Sequence, residues 1–209
     1  MNNSISNSLK SLSAHFNKFE LKPAKPNLIL KLRELYPNIT DELVEFYEFC
    51  DGFDSGFEEE NATILSVEEI INLTKERSGN NPLFTELIPI RNDGFWNFDC
   101  LMLNPKGKNT IVFWNGETSE KPDNPIAGNL ATFFDHFVKW ATTCYNKDGT
   151  SKYEYDILEN RNAKSFPWPL DLKWIVRNDK PLKKWLSDKE YRLLFDKELA
   201  PLKKNFFGL

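Results

Sequence analysis

The sequence predicts an α+β fold, a mainly antiparallel or mixed sheet flanked by helices, with a helical C-terminal extension. Three observations carry this expectation. Up to Phe53, apolar residues recur at three- and four-residue spacing, the period of an α-helix. Between Leu87 and Trp114, three short apolar segments alternate with turn chemistry, as in an antiparallel meander. Beyond them, the apolar residues from Phe133 to Cys144 cover more than half of a helix's girth, which marks a deeply packed layer.

Leu9, Leu12, Phe16 and Phe19 lie on one face of a first helix, which Pro23 and Pro26 are expected to end. Leu28, Leu32 and Leu35 mark a second short helix, halted before Pro37 because proline disfavours the helical conformation of its predecessor. In a third helix Ile39, Leu43, Phe46, Cys50 and Phe53 share a face. Thr40 is its expected N-cap, Asp41 and Glu42 sit at the positive end of its dipole, and Gly52 supplies a left-handed stop. Ser66 and Glu69 fit a capping box, with Leu65 and Ile70 as its hydrophobic staple, opening a helix over Val67–Ser78. The strands are expected at Leu87–Arg91, Phe95–Leu103 and Thr110–Trp114, with turns at Asn92-Asp93-Gly94 and Asn104-Pro105-Lys106-Gly107. A polar loop over Glu117–Pro125 leads to a helix capped by Thr132. Asn146–Thr150 reads as a linker, followed by a strand at Tyr153–Leu158, a proline-rich corner at Phe166–Pro169, and a last helix capped at Ser187 and ending before Pro201. The expected organisation is a domain over 1–145 and an extension over 146–209 packed on it.

With 17 Phe and 6 Trp in 209 residues, the chain has ample material for a core, which excludes disorder for most of its length. No apolar run approaches the roughly 18 residues that would span a bilayer. The first residues lack the basic and apolar regions of a secretory signal. Cys50, Cys100 and Cys144 are widely spaced in apolar segments and read as buried free thiols in a reducing compartment. A cytoplasmic protein is expected.

Catalytic constellations are missing from the sequence. His15 and His136 fit no zinc spacing, and His136, opposite the aromatic stripe of its helix, reads as a solvated surface histidine. No nucleotide-binding glycine motif and no hydrolase elbow is present. A calcium loop beginning at Asp51 fails, because Phe53 stands where an oxygen ligand belongs and Ala62 where the bidentate Glu belongs. The sequence therefore points to no cofactor, no metal and no catalytic residue. Acidic pairs such as Asp54 and Glu58 leave a hydrolase as the third reading.

Charge is the stronger signal. From Glu34 to Thr74 there are twelve acids and no Lys or Arg, whereas the stretch after Pro169 is basic. The acids read either as a solvated face or as a docking surface for a basic partner, and packing against the basic tail is a third possibility. Under the docking reading, the partner-binding residues are Glu45, Glu48, Asp54, Glu58, Glu59 and Glu60. Trp114 reads as core rather than as an interface anchor. An overall net charge of −4 argues against nucleic-acid binding despite the basic, aromatic tail.

The order of these elements resembles the SUKH superfamily. The resemblance rests on Pro37 to Gly52, Ile64 to Leu73, the apolar-Pro-apolar strand and its partner over Leu87–Leu103, Thr110–Trp114, and Thr132–Trp140, covering roughly Leu28 to Tyr145. The turn at Asn92-Asp93-Gly94 carries fewer glycines than many members show. The resemblance implies non-enzymatic protein binding. Bacterial members are immunity proteins that neutralise secreted toxins, so the partner it implies is a cognate toxin, a nuclease with a basic cleft being the concrete case. Fungal members regulate cell-wall synthesis, which makes an intracellular regulator or scaffold the alternative.

Overall fold

The computed structural model describes residues 3–16, 20–57, 63–77, 79, 82–93, 96–116, 119–152, 166–169 and 171–195. Glu58, Glu59, Glu60 and the strand expected at Tyr153–Leu158 lie outside the described residues. So do Phe19, Gly94 and Phe95.

Helix α1 (Asn3–His15) turns Ile5, Leu9 and Leu12 into the core, and Phe16 follows in the next turn. Pro26 opens α2 (Pro26–Leu35) rather than ending α1. Its fixed φ suits a first helical position, where the missing N–H has no intrahelical partner to lose. Helix α3 (Asp41–Phe49) is capped by the Thr40 hydroxyl, which accepts from the Leu43 amide at 3.3 Å. Its apolar face is buried as expected at Ile39, Leu43, Phe46 and Cys50, with Phe53 half-buried. The helix stops at Cys50, two residues before Gly52. Gly52 has φ +68 and permits a close approach, since a Cβ there would lie 2.6 Å from the Leu65 carbonyl carbon.

Strand β1 (Thr63–Ile64) leads into α4 (Val67–Arg77), whose capping box forms fully. Ser66 N–H donates to the Glu69 carboxylate at 2.7 Å, and Glu69 N–H returns to the Ser66 hydroxyl at 3.3 Å. A 3₁₀ turn (Pro82–Thr85) precedes β2 (Leu87–Asn92), β3 (Asn97–Met102), β4 (Ile111–Asn115) and β5 (Asn124–Ala127). The five described strands form one antiparallel sheet in sequence order. Strand β5 lies at the end of the segment expected to be only a polar loop. Both faces of β3 are buried, so the sheet is an inner layer and alternation is lost. Trp114 is core, its indole N–H donating to the Ser119 carbonyl at 2.9 Å.

Helix α5 (Leu130–Cys144) begins three residues earlier than expected. Asn129, not Thr132, is the cap, its side chain accepting the Thr132 amide at 2.8 Å. Asp135 pairs with Lys139 one turn on. His136 is a second correction: it is 2% exposed rather than solvated. The face it occupies is covered by the tail, through Trp174 at 5.1 Å and Trp168 at 6.5 Å between ring centroids. Burial among these indoles lowers its pKa to about 4.

The tail contributes α6 (Leu172–Asn178), α7 (Lys180–Ser187) and α8 (Lys189–Arg192). Helices α6 and α7 pack on β5, at the opposite edge of the sheet from β1. The cap of α8 is Asp188, while the Ser187 hydroxyl donates to Lys184 O; the helix tightens into an i→i+3 bond at Leu194 well before Pro201. Asp179 anchors the tail from within: fully buried, it accepts from Gly128 N–H at 2.7 Å and Leu182 N–H at 2.8 Å. All three cysteines are buried free thiols.

Candidate functional site

The acidic segment begins on α3. Residues 41, 45 and 48 fall at helical spacing, so they lie along one side of the helix, away from the buried Leu43, Phe46 and Tyr47. Glu48 is exposed and Glu45 half-buried. Not every acid of the run is available to a partner. Asp41 meets the Arg33 guanidinium of α2 at 3.2 Å. Asp51 accepts the Val67 amide at 2.8 Å, capping α4 from a distance, and Glu69 belongs to the capping box. The carboxylates of Asp51 and Glu69 satisfy the N-terminus of α4.

Asp54 is exposed at the start of a well-braced loop. Its carboxylate accepts the Gly56 amide at 2.9 Å, and the Ser55 hydroxyl lies 3.4 Å from the Phe57 amide. Phe57 then turns inward. It stacks on Tyr145 with ring centroids 4.3 Å apart and planes within 10°, and it meets Phe16 and Trp140 on its other sides. Gly149 lies so close that a Cβ there would stand 2.6 Å from Gly56 O. The described part of the loop is thus riveted to the end of α5, and Asp54 is displayed from a fixed platform.

Beside it lies an open depression lined by Glu20, Lys22, Pro23, Lys25, Asp51 and Asp54 among others. Lys22 pairs with Glu20 and holds that carboxyl below its ordinary pKa. The acidic face therefore carries cations on one rim, donated by the segment before α2. Sequence order hides them, because Lys22 and Lys25 precede the acidic run and are brought alongside by Ala24 N–H to Tyr47 O at 2.8 Å and Asp51 N–H to Lys22 O at 2.6 Å. Of the six acids expected to bind a partner, the structure brings Glu45, Glu48 and Asp54 into the region of α3 and its following loop. Glu58, Glu59 and Glu60 lie outside the described residues.

Sequence reasoning missed a charged pair inside the sheet. Arg91 Nε donates to Asp99 Oδ2, with the two side chains 9% and 1% exposed and the Trp168 ring 5.7 Å from the guanidinium. Burial raises the Asp99 pKa, and Arg91 opposes that rise. Opposite charges at cross-strand positions of an otherwise apolar meander were the available signal. Sealed beneath Trp168, the pair is a structural element rather than a surface for a substrate.

The matched family agrees with this arrangement of sheet and helices: residues 5–136, more than half of the chain, match the model of the SMI1 / KNR4 family (SUKH-1). The chain belongs to this family. A search of curated proteins finds no match. The SUKH-1 match ends within α5, so the tail that buries His136 and covers Arg91 lies beyond the matched region. Among the described residues no helix is long and apolar enough to cross a membrane.

Proposed function

We propose that this SUKH-1 protein is a non-enzymatic protein-binding module, an immunity protein that neutralises a cognate toxin by covering a basic active cleft. The observation that carries the reading is the display of Glu48 and Asp54, exposed on a helix and a loop that Phe57 fixes to α5. A preorganised surface loses little conformational freedom on binding, so more of its interaction energy appears as affinity. Nuclease clefts hold phosphates with Lys and Arg, and an acidic face can occupy such a cleft by matching its charge. Glu45 and the neighbouring Glu58, Glu59 and Glu60 would add to the same field, which accelerates encounter over distances set by the Debye length. In this mechanism the protein excludes substrate from the toxin and performs no chemistry itself.

The test is co-expression with the toxic C-terminal domains of secreted proteins, beginning with any that is encoded beside this gene. Restored growth together with a stable one-to-one complex supports the reading. Continued toxicity with no complex overturns it, as does turnover of a hydrolase substrate that a single Asp or Glu substitution abolishes. A stable complex with a cell-wall-synthesis enzyme instead would favour the regulatory alternative.

A further inference from the structure

Trp96 stands apart from the other tryptophans. It is 37% exposed, one of three large apolar residues that reach solvent to that degree among the described residues. Its backbone is also left-handed, with φ +60. For a bulky L-residue that conformation is strained, and glycine would occupy it freely. A side chain kept at such a position works against local stability, and strain of this kind concentrates where a residue has a task.

The surroundings say what that task is. The Arg77 guanidinium, at the end of α4, lies 4.2 Å from the Trp96 ring centroid. Among the described residues Arg77 makes no ion pair. The indole's edge meets Phe98 at 6.1 Å, and the Trp96 carbonyl accepts Gly116 N–H at 2.9 Å, so the aromatic platform is held from below and from the side. A Trp and an Arg that brace one another, partly exposed and preorganised, have the composition of an interface hot spot.

We propose that Trp96 and Arg77 form a second docking surface, one that takes a protein segment with a carboxylate beside aliphatic side chains. The carboxylate would meet the free edge of the guanidinium, and the aliphatic groups would cover the indole. A basic segment would be repelled by Arg77. The surface lies at the end of the sheet where β1 begins, since Thr63 pairs with Asn92 just before the turn that carries Trp96. It is therefore near the acidic region in the fold, with Arg77 rather than a carboxylate against the indole, and it stands or falls independently of the toxin reading.

The experiment uses the full chain and fluorescein-labelled blocked peptides of alternating Leu and Glu, Leu and Lys, or Leu and Gln. Anisotropy gives affinities, and the Trp96 indole N–H resonance reports the location. The Leu–Glu peptide should bind saturably and shift that resonance, with the Leu–Lys peptide inert. Trp96→Gly and Arg77→Gln should each weaken binding at least tenfold, and Glu48→Lys should not. Trp96→Gly should also melt at or above the parent's temperature, because glycine relieves the backbone; a purely structural tryptophan would give a lower one. The proposal is overturned by absence of saturable binding, by equal binding in both variants, by preference for the Leu–Lys peptide, or by inorganic phosphate alone producing the same shift.

Discussion

Gly52 and His136 show how single residues can be required for opposite reasons. Gly52 is needed for a backbone the chain could not otherwise adopt. Replacing it with Ala adds left-handed strain and drives a Cβ into the Leu65 backbone, so Gly52→Ala should cost at least about 2 kcal/mol. Gly56 is the matched control. Its φ is +60, yet a Cβ there meets nothing within 4 Å, so Gly56→Ala should cost only about 1 kcal/mol. Urea titrations of the two variants check the contrast. His136 is required to be neutral. Its folded pKa of about 4 lies below the ordinary 6.5, so the unfolded chain binds the proton more tightly. Its contribution to stability is complete above pH 6.5 and is lost as pH falls towards 4. At pH 5 the loss should be about 2 kcal/mol. His136→Phe should remove that increment, so the difference between parent and variant in urea midpoints at pH 7 and pH 5 measures it. Equal pH dependence in both proteins would contradict the burial of the ring.

At the scale of elements, the tail is part of the core. Trp168, Ile175, Val176, Leu182, Leu186, Tyr191 and Phe195 are each 3% exposed or less. At about 2 kcal/mol for each buried side chain, their gross contribution is comparable with the whole stability of an ordinary domain. A chain truncated after Tyr145 should therefore lose cooperative unfolding and near-ultraviolet circular dichroism. A sharp native-like transition in residues 1–145 would show instead that the tail is an accessory. These contacts also explain what was legible in the sequence. The helix starts at Thr40 and Ser66 were readable because a cap and its amide lie two or three residues apart. The buried face of α3 was readable for the same reason, through local periodicity. The burial of His136 and the cover over Arg91 depend on Trp174 and Trp168, and Trp168 also donates to the Ile126 carbonyl of β5; these tail residues reach their partners across dozens of positions without a local signature. Among the site residues, exposure of Glu48 and Asp54 followed from charge alone. The structural use of Asp41 and Asp51, and the fixing of the loop by Phe57 on Tyr145, did not, since each partner lies in another element.

Across the whole molecule, the acidic run and the basic tail attach to opposite edges of the sheet. The chain enters the sheet at β1 from the acidic region, and the basic helices α6 and α7 pack on β5 at the far edge. Lys106 on the β3–β4 turn also pairs with Glu190 of α8, which ties the tail's charges to the sheet. Segregation of this kind changes encounter rates and partner choice much more than folding. Exposed charges shift stability by only about 0.5 kcal/mol each, so reversing them tests binding without undermining the fold. The decisive measurement is stopped-flow association with the cognate toxin domain at low and moderate salt. It compares the parent, a variant with Glu48, Glu58, Glu59 and Glu60 changed to Lys, and a control with Lys203 and Lys204 changed to Glu. If the acidic region docks a basic cleft, the first variant should associate at least tenfold more slowly with a flattened salt dependence, and the control should match the parent. Association unchanged in the acidic variant, or lost only in the tail control, would contradict an acidic docking face.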